Sequence, residues 1–257
     1  MRAMKQLGAS LAIAFATYSR IPMPQVDWSE ENKRYSLCFF PLIGVVIALA
    51  LCAWLHLCKV LSLGGILQGA IGTVIPLIIT GGIHMDGFMD VTDAVSSWQT
   101  KERRLEILKD SHVGAFAVMG CCMYLLVMAG LLSEATLSDE PMLGACYVVS
   151  RALSAATSVW LKGAKPDGML HSFSHIARRR AVTLAAACYG CACLALWAVC
   201  GGWTAALLIA VALACAVYYR RMAYALFGGV TGDLAGWLLQ VTELALIAVV
   251  IIGGKLV

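Results

Sequence analysis

Apolar runs of about 20 residues recur along almost the whole chain, and each is long enough to cross a bilayer as a helix. Hydrophobic residues make up 61% of the sequence and charged residues only 13%, against roughly 25% charged in soluble domains. We therefore predict an all-α, polytopic integral membrane bundle that forms a single domain over residues 1–257. The predicted spans, about seven in number, are 37–58, 64–83, 113–133, 141–161, 181–200, 203–219 and 238–253.

Basic residues are distributed very unequally between the two sides that these spans define. Lys59 and Lys255 fall on one side and Arg151 lies inside a span, whereas the rest of the 19 Lys and Arg residues fall on the other. Cytoplasmic loops carry an excess of Lys and Arg, so we expect a multi-pass protein of the cell (inner) membrane whose basic side faces the cytoplasm. The net charge of +4 then reflects contact with the lipid bilayer, and no basic stretch with interleaved aromatic residues indicates nucleic acid.

The N-terminal stretch MRAMKQLGASLAIAFATYSRIPMP has a basic start, a short apolar core and small residues, as a signal peptide does. Arg20 and IPMP follow the apolar core directly, and further spans come after it. This order favours a retained helix, amphipathic or half-buried, over a cleaved leader.

An acidic cluster, HMDGFMDVTD, follows the second apolar run at residues 84–93. On a helix Asp86, Asp90 and Asp93 are spaced i, i+4, i+7, within an arc of roughly 60°. An ionised carboxylate at the centre of a membrane helix costs about 2.5–3.5 kcal/mol, and three on one face also repel one another. Oxygen ligands suit Mg²⁺, Mn²⁺ or Ca²⁺, so the spacing favours a cation site over a solvated helix end. Gly87 leaves room for a ligand or another helix.

The next loop, KERRLEILKDSHVG, supplies positive charge close to the acids. Arg103, Arg104 and Lys109 are candidates for binding phosphate, although a plain positive-inside loop or a surface-bound amphipathic helix has the same composition. Asp110 stands at the mouth of the next span, as a candidate fourth metal ligand.

A glycine-rich turn, FGGVTGD, lies on the same predicted side. Gly228 and Gly229 permit backbone N–H groups to curl around an anion, and Thr231 adds a hydroxyl group. The alternative is a turn that only ends a helix, but Asp233 faces the compartment of the acidic cluster and favours a site. Arg151 lies within a predicted span, where an arginine is by default functional or paired.

Six stretches in order from about residue 15 to residue 233 carry a resemblance to a known family: SRIPMP, FFPLIGVVIA, GGIHMDGFMDVTDAVSS, ERRLEILKDSHVGAFAVMG, SRALSA and GGVTGD. They resemble the membrane-bound cobalamin synthases, or adenosylcobinamide-GDP ribazoletransferases. The acidic and KDSHVG blocks are the specific ones, while the apolar pieces are not.

The resemblance implies a Mg²⁺-dependent transferase that joins adenosylcobinamide-GDP to α-ribazole, or to α-ribazole 5′-phosphate, and releases GMP. The implied metal ligands are Asp86, Asp90, Asp93, Asp110 and Asp233. The implied catalytic residues are Asp86, Asp90 and His84, one of which accepts the hydroxyl proton. The implied phosphate-binding residues are Arg103, Arg104, Lys109, Ser111, Gly228, Gly229, Thr231 and Arg151. A homo-oligomer, or association with other corrinoid-pathway enzymes, is left open.

Two other functions are compatible with parts of this pattern. CDP-alcohol phosphotransferases of membranes also cluster aspartates with glycines, but their signature DG..AR differs from the Phe-Met-Asp-Val that follows Asp86 and Gly87 here. A cation-coupled transporter should carry acids near the middle of its spans and internally repeated halves. Here the clustered acids lie at the edge of a span, and the sequence shows no internal repeat.

Overall fold

The computed structural model describes residues 2–164 and 168–255, and helices make up most of them. The helices are α1 (Arg2–Tyr18), α2 (Glu30–Lys33), α3 (Ser36–Val60), α4 (Gly65–Thr80), α5 (Ile83–Ser96), α6 (Lys101–Ile107), α7 (Ala115–Ser133), α8 (Glu140–Trp160, preceded by a 3₁₀ turn at Leu137–Asp139), α9 (Met169–Ser174), α10 (Arg179–Cys200), α11 (Thr204–Phe227) and α12 (Gly232–Gly254). The described part has no β-strand beyond a single parallel bridge between Gly163 and Val230.

Six of the seven predicted spans correspond to single helices long and apolar enough to cross a membrane, whereas the span 64–83 corresponds to α4, which meets that description only together with α5. Six helices among the described residues meet that description, namely α3, α7, α8, α10, α11 and α12. A seventh candidate is the pair of α4 and α5, which meet at an angle of 99°. The predicted all-α polytopic membrane bundle is therefore confirmed. Spans 203–219 and 238–253 were predicted too short, because α11 and α12 continue beyond the apolar residues into polar ones.

The bend after α4 separates the second apolar run from the acidic cluster. Gly81 and Gly82 have φ angles of 66° and 78°, a left-handed conformation that glycine adopts without strain. They end α4 at Thr80 and start α5 in a new direction. The acidic residues consequently lie on a separate helix, α5, whose axis makes an angle of 99° with that of α4.

Helices α8 and α12 form the centre of the bundle, and α7, α10 and α11 lie further out. In the apolar stretch of α8, 78% of the residues are buried inside the protein, compared with 22% in that of α11. Close packing of α8 on α3 depends on Gly44, where a Cβ would come within 2.8 Å of the carbonyl carbon of Tyr147. Outer helices expose Leu, Val and Met side chains, as expected for contact with lipid.

The N-terminal helix α1 lies against α3 with one face buried. Ile13 and Ala14 are fully buried, whereas Met4 and Leu7 are exposed. This pattern confirms the predicted half-buried helix. Beyond it, the backbone N–H of Arg20 donates to the carbonyl of Ile79 at 2.8 Å and so fastens the chain to the end of α4.

Contacts between loops show which helix ends lie together. At one end, the backbone of Gly114 bonds to Asp93, Gly163 pairs with Val230, and Gly87 lies against Asp233. At the opposite end, Lys255 forms an ion pair with Glu134. The acidic cluster and the glycine-rich turn are therefore on the same side of the bundle, as the basic-residue distribution predicts.

Candidate active site

Helix α5 packs directly against the beginning of α12, through glycine on both helices. A Cβ on Gly87 would lie 2.8 Å from both the Cα and the carbonyl oxygen of Asp233. A Cβ on Gly236 would lie 3.1 Å from the carbonyl oxygen of His84. Two backbones can approach this closely only where no side chain intervenes. The contact brings Asp233 beside the acidic cluster, although the two are far apart in sequence.

The carboxylates of Asp86, Asp90 and Asp233 form the centre of this site. Asp86 is exposed and Asp90 is half-buried. The negative charges of Asp86, Asp233 and Asp93 all lie close enough to act on the Asp90 carboxyl. The carboxylates of Asp86, Asp90 and Asp233 therefore concentrate negative potential at one point, which a bound cation would neutralise.

The donor set fits a hard divalent cation, because Asp86, Asp90 and Asp233 offer only carboxylate oxygens. In the orientations seen, however, no three His, Cys, Asp or Glu side chains among the described residues are arranged closely enough to hold a metal ion. Asp86 and Asp90 are one helical turn apart on α5, and Asp233 is on the neighbouring helix α12. Binding of Mg²⁺ at these residues stays a prediction.

The third acid of the predicted cluster, Asp93, has a structural role. Its Oδ2 accepts a hydrogen bond from the backbone N–H of Gly114 at 2.6 Å, and its Oδ1 accepts one from that of Ala117 at 2.8 Å. These N–H groups belong to the first turn of α7, which has no partner for them within its own helix. Asp93 thus fastens α5 to α7 and neutralises the positive end of that helix.

Replacement of Asp93 with Ala should lower the free energy of unfolding by about 2 kcal/mol, the upper value for loss of a helix cap. The reason is that two partly buried N–H groups in the first turn of α7 lose a charged acceptor at once. The measurement is the thermal unfolding midpoint of the purified protein in detergent. Replacement of the exposed Asp27 with Ala is the control, and an equal midpoint for both variants would contradict the capping role.

The basic loop, residues 101–114, lies at the same end of the bundle. Two of its candidate residues, Arg103 and Asp110, contact other residues of the same loop. Arg103 pairs with Glu106 at 2.7 Å, and both side chains are exposed. Asp110 accepts a hydrogen bond from the backbone N–H of His112 at 3.0 Å and lies 2.6 Å from its ring. Asp110 is therefore directed towards its own loop and not towards Asp90. Its role as a metal ligand gains no support and stays a prediction.

The other basic-loop candidates differ in exposure. Lys109 and Ser111 are exposed. Arg104 is half-buried, and its Nε has no hydrogen-bond partner. Lys109 and Ser111 are accessible to a phosphate group from solution, but no contact in the structure assigns them to one.

Arg151 is enclosed in the bundle and paired. It is 1% exposed, forms an ion pair with Glu243 of α12, and donates to the carbonyl oxygen of Tyr147 at 2.9 Å. Of the two roles expected for an arginine in a span, the structure shows the paired one. The pair links α8 to α12 beneath the site, and a phosphate could reach Arg151 only if the helices separated.

The glycine-rich turn uses its backbone N–H groups within the protein. The N–H of Gly229 donates to Ala223 at 3.2 Å, and that of Val230 donates to Lys162 at 3.0 Å. The hydroxyl of Thr231 caps α12 by accepting from Leu234 at 3.2 Å. Because protein acceptors occupy the N–H groups of Gly229 and Val230, these two groups give no support to an anion cradle. Phosphate binding by this turn stays a prediction, and the turn itself ends α11 and leads into the helix that carries Asp233.

Two cavities meet at Asp86. The smaller, of about 210 Å³, extends between α5, α8 and α12 and is bounded by His84, Asp86 and Asp233 together with aromatic residues. The larger and more open one, of about 660 Å³, lies between the end of α1, α4 and α5 and is bounded by Arg20 and Asp86. Asp86 consequently faces two separate spaces, each large enough for part of a substrate.

Sequence reasoning assigned no role to Arg20, although this residue belongs to the larger cavity. Arg20 is exposed, and its side chain forms no ion pair with an acidic residue in the part of the chain that the structure describes. The available signal was the stretch SRIPMP, in which Arg20 is the only charged residue.

The chain is similar to proteins of one family throughout its length. The model of the family described as cobalamin-5-phosphate synthase matches residues 10–251. Among relatives named adenosylcobinamide-GDP ribazoletransferase, that of Lachnoclostridium phytofermentans is 44% identical over 96% of this chain and 95% of its own length. That of Clostridium botulinum is 30% identical over 94% and 96%, and that of Ralstonia nicotianae is 30% identical over 98% of both chains. No solved structure matches this chain.

Proposed function

The chain belongs to the cobalamin-5-phosphate synthase family, and we propose that it catalyses the reaction for which its relatives are named, at the carboxylates of Asp86, Asp90 and Asp233. A hydroxyl of α-ribazole, or of its 5′-phosphate, attacks the phosphorus that is linked to cobinamide in adenosylcobinamide-GDP. The bond from this phosphorus to GMP breaks, GMP leaves, and adenosylcobalamin or its 5′-phosphate forms. This step completes the nucleotide loop in cobalamin biosynthesis.

One observation carries the placement of this reaction, namely that Asp86 borders two cavities. A transfer between two substrates needs the donor phosphorus and the attacking hydroxyl to approach one point from different sides. The larger, open cavity suits the donor, because adenosylcobinamide-GDP is bulky and Arg20 can bind its pyrophosphate. The smaller cavity suits part of the acceptor.

Asp86, Asp90 and Asp233 would hold Mg²⁺, which when bound would neutralise charge on the pyrophosphate and on the departing GMP. Apart from this, the residues of the chain itself position the substrates. Helix α5 is held on α7 by Asp93 and on α12 by the glycine contacts, so Asp86 and Asp90 are fixed relative to Asp233. A carboxylate of the cluster accepts the proton of the attacking hydroxyl.

Purified protein, or membranes that contain it, should release GMP from adenosylcobinamide-GDP when α-ribazole and Mg²⁺ are both supplied. A chelator should stop GMP release, and Mg²⁺ or Mn²⁺ should restore it better than Zn²⁺, since the ligands are all oxygens. Chromatographic measurement of GMP and of the corrinoid product tests both statements. Full activity in the chelator would exclude the metal, and no GMP release under any condition would exclude the reaction.

We place the site on the cytoplasmic side of the inner membrane, where the basic loops face. In a cysteine-free background, single cysteines at the exposed positions Lys101 and Lys162 should react with a membrane-impermeant thiol reagent only from the cytoplasm. A cysteine at the exposed Ser138, at the opposite end of the bundle, should react only from outside. If the cysteines at positions 101 and 162 reacted from different sides, the loops could not form a single site. If both reacted only from outside, the site would face outward and not the cytoplasm.

The two other functions gain nothing from the structure or from the relatives. A CDP-alcohol phosphotransferase and a cation-coupled transporter would both leave the family membership unexplained. A homo-oligomer and an association with other corrinoid-pathway enzymes stay predictions.

A further inference from the structure

The smaller cavity has aromatic and apolar walls next to the carboxylates. The rings of Tyr18, Phe40 and His84 lie close together, with centroids 4.5 Å apart for Tyr18 and Phe40 and 5.5 Å apart for Phe40 and His84. Ala155 of α8 belongs to the opposite part of the wall. Aromatic rings grouped in this way favour a flat aromatic guest, which can stack on one ring and meet the edge of another.

His84 has an unmet hydrogen-bonding capacity in this cavity. It is 6% exposed, and neither its Nδ1 nor its Nε2 has a partner among the described residues. The nearby hydroxyl of Ser154 is directed to the carbonyl oxygen of Ala235, at 3.3 Å. A buried polar group that has no hydrogen-bond partner destabilises the protein. A ligand that offers a hydrogen-bonding ring nitrogen would remove this destabilisation.

The volume of the cavity limits what it can hold. At about 210 Å³ it exceeds the roughly 150 Å³ of an engineered cavity that binds benzene, so a fused two-ring base fits. It is smaller than the roughly 300–1,000 Å³ typical of sites for complete drug-sized ligands, so a whole nucleotide or a corrin ring does not. Because Asp86 and Asp233 border the same cavity, a base held inside would place its attached ribose at the carboxylates.

We propose that this cavity is the subsite for the aromatic base of the acceptor nucleoside, and that His84 donates a hydrogen bond to the unsubstituted ring nitrogen of that base. The inference rests on the proposed function, since it takes α-ribazole as the acceptor. The benzimidazole base of α-ribazole is flat, mostly apolar and carries one free acceptor nitrogen, which matches a cavity with one unpartnered imidazole. Guanine, the base of the donor, presents several donors and acceptors along its edges and would leave most of them unpaired here.

The first test compares α-ribazole with an analogue in which the free ring nitrogen is replaced by a CH group. The wild-type protein should prefer α-ribazole about tenfold or more in kcat/KM, the consequence of one buried hydrogen bond. His84→Phe keeps an aromatic ring but cannot donate, so its preference should fall to about one. Retention of the full preference in His84→Phe would overturn the inference. The ratio is informative even if the variant has lower activity with both acceptors.

The second test fills the cavity from α8. Ala155→Leu should raise the KM for α-ribazole about tenfold, while the KM for adenosylcobinamide-GDP stays within about twofold. The matched control is Ala156→Leu, since Ala156 is half-buried on the same helix and does not border the cavity. A rise in the KM for the donor instead would assign the cavity to guanine and overturn the proposal, as would equal values for the two variants.

A binding measurement separates failure of this inference from failure of the proposed function. α-Ribazole alone should raise the thermal unfolding midpoint of the wild-type protein and of Ala156→Leu, but not that of Ala155→Leu. If the wild-type protein releases no GMP, the proposed function fails, and this binding pattern still decides the subsite. If GMP is released but α-ribazole stabilises Ala155→Leu as well as it does the wild type, only the subsite is wrong.

Discussion

Replacement of Asp86 with Asn is expected to lower turnover by about 10²–10⁴-fold, the range for loss of a group that acts on the reacting atoms. Asn keeps the shape of the side chain and removes the charge at the point where the two cavities meet. Insertion into the membrane and the unfolding midpoint should change little, because Asp86 is exposed. The measurements are GMP release at saturating substrates and Mg²⁺, and thermal unfolding of the purified variant.

Two further variants test whether the loss of turnover in Asp86→Asn is specific to the carboxylate cluster. Asp233→Asn should show a loss of the same order, since Asp233 reaches the cluster from α12 and acts with Asp86. Asp27→Asn, the same chemical change at an exposed residue outside the cluster, should retain the wild-type rate. Near-normal turnover of both Asp86→Asn and Asp233→Asn would show that the carboxylate cluster is not the reaction centre.

Replacement of Gly87 with Ala is expected to lower turnover by about 10²-fold, although the added methyl group touches neither substrate. The new Cβ would lie 2.8 Å from backbone atoms of Asp233, which cannot rotate away, so α5 and α12 must separate. A displacement of about 1 Å at a catalytic centre is enough for such a loss. Overpacking should also lower the free energy of unfolding by about 1–3 kcal/mol.

Gly130→Ala provides the matched control for Gly87→Ala. Gly130 lies inside α7, and a Cβ there would have no atom within 4 Å among the described residues. This substitution should leave turnover unchanged and increase the intrinsic stability of the helix slightly. If Gly87→Ala were as active as Gly130→Ala, the close approach of α5 to α12 would not be needed for the reaction.

The acidic cluster shows how far sequence reasoning could reach at the site. The i, i+4, i+7 spacing correctly placed three acids on one face of a helix, but Asp93 is about 10 Å along the axis from Asp86. Asp93 reaches the first turn of α7 instead, and Asp233 from another helix takes its place beside Asp90. Spacing within one helix cannot reveal either partner.

The glycine-rich turn shows the same limit of reasoning from the sequence. A run of glycine residues indicates a turn, but not whether its N–H groups remain free. The N–H group of Gly229 donates to Ala223 of α11, and that of Val230 donates to Lys162 in the segment that passes beside the turn. Likewise, the sequence of α8 indicated that Arg151 must be functional or paired, and only the packing of α12 identified Glu243 as its partner.

The sequence by itself determined the membrane bundle and the family, since span length and the order of the motifs are properties of the linear chain. The asymmetry of its basic residues also predicts which side of the bundle faces the cytoplasm. Only the tertiary structure decided which acids lie close together, that the chain bends at Gly81 and Gly82, and that two cavities meet at Asp86. The physical reason is that helical periodicity determines the direction of a side chain only relative to its own axis. Its neighbours depend on how closely the helices pack, and here glycine contacts between α5 and α12 set that distance.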